Sequence, residues 1–323
     1  MSYHDTVQNV YRDAALAPAT NLCCVPQAPK YLPGLVIPDI MHEMNYGCGT
    51  TIHLQDLSAD QSVLYVGVGG GLEALQLAYF TRREGGVVAV DPVPEMRERA
   101  AQNLELAARL NDWFEPEYVT IVDGDAFQLP VDDAAVDLAA QNCLFNIFKT
   151  GGDLEIALSE MHRVLTRNGR LVMSDPITPT PLPPELSDDE QLRAACISGC
   201  LLLDEYLDKI IESDFGAIEV RSRKPYRMLD ATSYGLDENV LLETVEVAAY
   251  KVPVPDDGAC VFTGRTAIYT GRAEDFNDGK GHVLPRNLPM PVCDKTANAL
   301  GELGRNDIVV TDSSWHYQGG GCC

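Results

Sequence analysis

Basic residues are scarce in this chain: 24 Lys and Arg stand against 48 Asp and Glu in 323 residues, a formal net charge of −24. A surface of that sign repels phosphate backbones and anionic headgroups, so nucleic acid and membrane surfaces are excluded as expected partners. Long apolar runs are missing too. Nowhere do 18 apolar residues follow one another, and the first twenty residues, MSYHDTVQNVYRDAALAPAT, show neither a basic leader nor an apolar stretch. The expectation is therefore a cytoplasmic protein. There is no tandem repeat, and the only low-complexity piece is Gly319 to Gly321. The tight C-x-x-C pairs of structural zinc sites are also missing, although Cys196 and Cys200 are spaced for one helix face and could supply two ligands.

What the chain does have is ten cysteines: Cys23, Cys24, Cys48, Cys143, Cys196, Cys200, Cys260, Cys293, Cys322 and Cys323. In a reducing compartment thiols stay free, so so many point to metal, metalloid or redox chemistry before disulfides. The plain alternative is that some are small buried hydrophobes. Cys322 and Cys323 end a glycine tether that could collect a thiol-seeking ion and pass it inward, or could simply be a loose end.

With 46% apolar content the chain can bury one full α/β core and a smaller appendage. Short bounded apolar runs at 62–66, 87–90, 119–122, 136–140 and 170–173 suit buried parallel strands. Between them, Met96, Ala100, Leu104 and Ala107, then Leu154, Ala157, Leu158, Met161 and Leu165, recur at helix spacing. The alternation predicts an α/β doubly wound, Rossmann-like sheet. The proline-rich ITPTPLPPEL after Asp175 predicts a connection, then a helix from Leu192 to Gly199 opened by Ser187 and Glu190, and a second helix through Leu203, Tyr206, Leu207 and Ile210. Beyond these, 217–223 and 260–269 read as strands. From Gly271 the chain reads as an acidic tail with only 308–310 strand-like.

Directly after the first predicted strand, Gly67-Val68-Gly69-Gly70-Gly71 opens a helix pattern, which lets backbone approach a ligand at a helix N-terminus. Asp91, at the end of the next strand, can accept hydrogen bonds from two ribose hydroxyls. Asp125 follows the third strand. A dinucleotide dehydrogenase shares the first two cues. The full set, GVGGG, VDP, GDAFQLP, QNCLFNIF and RVLTRNGRLVMSD, resembles the S-adenosylmethionine-dependent class I methyltransferases over about residues 60–176. That resemblance implies S-adenosyl-L-methionine as cofactor, held by Tyr46, Gly67, Gly69, Gly71, Asp91, Asp125, Ala126 and Asn142. It also exposes a departure. Tyr65 stands where the family usually has the acid that helps fix the methionine amino group, so another group must serve.

YGCG around Cys48, NC-x-x-N at 142–146, AACISG around Cys196 and GACVFTGRTAIY from Cys260 together resemble the arsenite methyltransferases. The resemblance implies that Cys48, Cys196 and Cys260 bind trivalent arsenic as three thiolates, with Cys23 or Cys24 as a redox-relay thiol. It further implies arsenite or methylarsenite as substrate and glutathione or thioredoxin as reductant, in arsenic detoxification. The ending SSWHYQGGGCC is similar to the branch associated with arsenosugar biosynthesis. The expected organisation is an N-terminal cap over 1–60 contributing thiols, a cofactor-binding domain over 61–176, a C-terminal arsenite-binding region over 177–270 and a tail over 271–323. Tyr46 is expected either to face the sulfonium or to pack. Cys143 is expected beside the adenine. Two other functions fit parts of the pattern: a small-molecule C- or O-methyltransferase with incidental cysteines, and a non-enzymatic protein that sequesters metalloid.

Overall fold

The structure, a computed structural model, describes residues 2–19, 22 and 28–314; Cys23, Cys24, Cys322 and Cys323 lie outside the described residues. Eight strands form one sheet: β1 (Val63–Val66), β2 (Val87–Asp91), β3 (Val119–Asp123), β4 (Val136–Asn142), β5 (Leu165–Ile177), β6 (Ala217–Leu229), β7 (Val240–Tyr250) and β8 (Cys260–Phe262). Their order is β3-β2-β1-β4-β5-β7-β6-β8. The first five pair in parallel, β7 runs antiparallel between β5 and β6, and β8 is parallel to β6. Strands covered on both faces need no polar side. β1 accordingly buries all four of its residues.

Strand order reverses between β1 and β4, which opens a crevice at their C-terminal ends. The N-terminal helix Tyr3–Leu16 closes over it. Its start is fixed by a capping box in which Ser2 Oγ accepts the Asp5 N–H at 3.3 Å and Asp5 accepts the Ser2 N–H at 2.8 Å. Thr6 then donates to Glu190 at 2.8 Å and Arg99 to the Ala15 carbonyl at 3.0 Å, tying this cover to the body.

Four expectations change. The helix expected over 192–199 is shorter, Glu190–Ala194, and it is capped by Asp189, whose Oδ1 accepts the Leu192 N–H at 2.9 Å. The strand expected over 260–269 breaks at Gly264 (φ 82°), where an added Cβ would lie 2.3 Å from Ser314 Oγ. Its second half is β9 (Thr266–Tyr269). The segment read as a tail is folded: β10 (Asp275–Asn277) pairs with β11 (Val283–Pro285), while β12 (Met290–Pro291) and β13 (Ile308–Val310) flank β9. With helix Asp294–Glu302 these bury Ala267, Tyr269, Leu284, Val292, Ala297 and Leu300 as a second small core. The boundary drawn at 176 falls inside β5, because β6 and β7 extend the same sheet.

Candidate active site

A cavity of about 380 Å³ lies at the crevice. Its floor is the turn Gly67–Gly70, whose Gly67 (φ 85°) and Gly69 (φ 50°) take left-handed backbone that a side chain resists. Gly71 does not line it. At φ 85° it is the N-cap residue of helix Leu72–Thr81, and so aims that helix at the turn. Tyr46, Asp91, Asp125, Ala126 and Asn142 all line the cavity, together with Tyr3, Val7 and Tyr11 of the covering helix.

Asp91 is 7% exposed, and burial pushes its carboxyl up to about 6 although the N–H groups of Val93, Val68 and Gly69 favour the charged form. Asn142 is committed to the loop carrying Cys48. Its Oδ1 accepts the Cys48 N–H at 2.9 Å and its Nδ2 donates to the Gly49 carbonyl at 3.0 Å, so it positions that loop. Tyr46 both lines the cavity and packs. Its hydroxyl donates to the Ala14 carbonyl at 3.2 Å and accepts the Ala19 N–H at 3.3 Å.

Four thiols, Cys48, Cys143, Cys196 and Cys200, are buried at this edge of the sheet. Cys143 lines the cavity. Cys48 stands behind Gly47 and Asn142, with Sγ 3.5 Å from both Ser174 Oγ and Thr244 Oγ1. Cys196 stands behind Cys143 and Tyr11: its Sγ donates to the Cys143 carbonyl at 3.2 Å and lies 3.9 Å from the Tyr11 hydroxyl. The Cys200 thiol, 3.6 Å from the Cys196 carbonyl, is pushed up by burial and then by its electrostatic contact with Cys48. Gly199 lets this turn pack against Asn146, since a Cβ there would meet the Asn146 carbonyl oxygen at 1.5 Å.

Cys196 is not on a helix, as its sequence context had implied. It is the residue that stops one. Its N–H bonds the Arg193 carbonyl at 2.9 Å and the Ile197 N–H bonds the Leu192 carbonyl at 2.9 Å, a Schellman pattern with cysteine at φ 57° where glycine is usual. Cys143 is also left-handed, at φ 62°. Left-handed backbone at residues other than glycine, Asn or Asp costs energy and gathers at working sites.

Cys260 does not join the group. It starts β8 in register with Ala217, Tyr250 and Arg170, whereas Cys48 sits on Ser174 of β5. That separation is four residues along β5 and three strand spacings across, roughly 13 Å and roughly 14 Å. The strand it opens pairs with the far edge of the sheet, and its thiol interacts with Cys293 and Lys295 instead. Of the expected trio Cys48, Cys196 and Cys260, the structure thus places Cys260 apart from the other two. Nor is a three-sulfur site preassembled: among the described residues, no three Cys, His, Asp or Glu side chains are gathered to hold a metal ion.

Several groups had no sequence signal beyond their type. Arg193, 6% exposed, lies near Cys200 and places positive charge behind the thiols. Asp175, pushed up to about 6 by burial, accepts from Tyr206 at 2.6 Å, from Gln141 and from the Phe145 N–H at 3.0 Å, which ties β4, β5 and helix Leu203–Glu212 together under the site. The covering helix could have been found from Ser2-x-x-Asp5 and the spacing of Tyr3, Val7 and Tyr11.

The profile of a methyltransferase domain matches residues 64–173, the span from β1 through most of β5. Over that span the chain carries a methyltransferase domain. An arsenite methyltransferase of Halobacterium salinarum is 27% identical over 178 residues, covering 55% of this chain and 43% of that protein. A demethylmenaquinone methyltransferase of Deinococcus radiodurans is 40% identical over 87 residues, 27% of this chain and 32% of that one. The chain thus spans less than half the length of these curated relatives. The crystal structure of an arsenic(III) S-adenosylmethionine methyltransferase from Chlamydomonas reinhardtii superposes with a TM-score of 0.57 at 22% identity, covering 87% of this chain and 95% of that one. This likeness establishes the methyltransferase fold well beyond the matched domain. No helix among the described residues is long and apolar enough to cross a membrane.

Proposed function

We propose that this chain is an S-adenosylmethionine-dependent methyltransferase acting on thiolate-bound trivalent arsenic. What supports the cofactor is fit. The cavity sits at the crevice, is large enough for a small cofactor, and offers the glycine turn to one end of it and the buried Asp91 carboxylate to a ribose. S-adenosylmethionine, when bound, supplies an electrophilic methyl group. The residues of this chain have then to present a soft nucleophile.

The observation that carries the substrate is the set of buried thiols directly behind that cavity. Trivalent arsenic is soft and favours thiolate ligands, keeping a lone pair opposite them; no general base is then needed, and positioning is the main demand. We assign Cys48 and Cys196 as ligands, with Cys200 in the place expected of Cys260. The sulfurs close around the substrate when it binds, and Arg193 offsets their charge. Methylation raises arsenic formally to the pentavalent state. Two thiolates that form one disulfide return two electrons to it, and we assign this relay to Cys23 or Cys24 with a ligand thiol; glutathione or thioredoxin then reduces the disulfide. In this reading the chain serves arsenic detoxification in the cytoplasm, and the cysteine-rich ending favours a place in arsenosugar formation.

The test is methyl transfer from labelled cofactor to arsenite. Cys48→Ser, Cys196→Ser and Cys200→Ser should each lower turnover at least a hundredfold, while paired replacement of Cys23 and Cys24 should spare methylarsenite more than arsenite. Full activity in Cys48→Ser would refute the assignment.

A further inference from the structure

Glu73 is a buried acid in the cavity wall whose partners are all neutral. It follows the glycine turn as the second residue of helix Leu72–Thr81, is 7% exposed and lines the cavity. Its Oε1 accepts the Thr51 N–H at 3.0 Å, its Oε2 accepts the Tyr65 hydroxyl at 2.6 Å, and the Asn142 side chain also hydrogen-bonds it. No Lys, Arg or His pairs with it among the described residues.

A carboxylate removed from water needs a proton or a cation, and neutral donors alone do not replace one. Burial outweighs the donors of Tyr65, Thr51 and Asn142, so the Glu73 carboxyl is held above its usual range. Two carboxylate oxygens offer about four acceptor positions, and the Thr51 N–H and the Tyr65 hydroxyl fill two of them with full hydrogen-bond geometry, so a donor from the cavity side can still be accepted. The ligand group that suits the charged form is therefore a cation that carries N–H donors. The methionine part of the cofactor has two positive centres, and only one fits this description: the sulfonium has no hydrogen to donate, whereas the α-ammonium has three.

We propose that Glu73 receives the α-ammonium group of S-adenosylmethionine, with Tyr65 as the residue that positions its carboxylate. This rests on the cofactor reading above. Tyr65 itself carries no charge here; its phenol reaches forward across eight residues and fixes the acid that does. The cavity thus has an acid near each end of the ligand, Asp91 for the ribose and Glu73 for the amino acid.

The experiment is calorimetric titration of the full chain with S-adenosylhomocysteine and with 5′-methylthioadenosine, which lacks the amino-acid portion. Glu73→Gln should weaken S-adenosylhomocysteine at least tenfold and leave 5′-methylthioadenosine within twofold of wild type. Unchanged affinity for the first ligand, or equal loss of both, would overturn the proposal. Tyr65→Phe keeps the carboxylate and should lose less than Glu73→Gln; a larger loss would assign the contact to the phenol and also overturn it. Wild-type protein that binds neither ligand would overturn the cofactor reading itself, and this proposal with it.

Discussion

At the scale of single residues, Cys196 combines two demands that conflict. The helix before it needs a left-handed stop, which glycine supplies without strain, yet the position holds a fully buried thiol. Left-handed backbone at a residue with a Cβ costs about 1–2 kcal/mol. Chemical denaturation should therefore find Cys196→Gly more stable than Cys196→Ala by about 1 kcal/mol, although neither variant should methylate arsenite. Equal stability would deny the left-handed turn. Cys260 gives the opposite case. Pairing with Cys293 at the far sheet edge, it should tolerate Cys260→Ser with turnover within twofold of wild type, and a hundredfold loss would restore it to the ligand set. The type of residue at both positions was legible in the sequence. Which thiols meet was not, because that depends on how β8 joins the sheet.

At the scale of elements, the loop carrying Cys48 is anchored by a buried ion network just beyond it. Asp56, 1% exposed, accepts from Arg221 at 3.0 Å through one oxygen and again through the other, and from Arg170 at 2.9 Å. Burial works against its charge, but the hydrogen bonds from Arg221 and Arg170 prevail and hold the carboxyl below its usual range. Asp56→Ala would leave the buried Arg221 guanidinium with Glu219, at 3.0 Å, as its remaining anionic partner, so it should destabilise the protein by about 3 kcal/mol in urea melts, the low end of the cost of breaking a buried pair. A loss below 1 kcal/mol would mean that water reaches the guanidinium. The five parallel strands were legible because each is a short apolar run bounded by turns. β7 was not. Val247, Ala248 and Ala249 are buried in succession, so no polar face alternates, while Glu243 and Glu246 break the run as charges would in a loop. The small core around β9 was missed for a related reason: its strands are two to four residues long, too short to show a period.

For the whole molecule, acidity and burial act together. Asp91 and Asp175 are both raised to about 6 from 3.8, so the folded state binds protons more tightly than the unfolded chain. Their contribution favours folding most at low pH and is lost as pH rises from near 4 through about 6. The ligand-free protein should be more stable at pH 5 than at pH 7, by roughly 1 kcal/mol from each group. Self-repulsion from the net charge of −24 has the same sign, so salt should narrow that part of the gap. Asp175→Asn at high salt isolates the carboxyl effect: thermal melts should show the difference between the two pH values reduced by roughly 1 kcal/mol. An unchanged difference would mean that Asp175 titrates normally.

In the proposed site, thiols brought together from remote parts of the chain hold arsenic beside the methyl donor. X-ray absorption at the arsenic edge of arsenite-loaded protein measures this directly. Three sulfur neighbours are expected in the wild type and in Cys260→Ser, and fewer in Cys48→Ser and in Cys196→Ser. An arsenic atom surrounded by oxygen in the wild type, or one whose sulfur shell shrinks only when Cys260 is replaced, would contradict it.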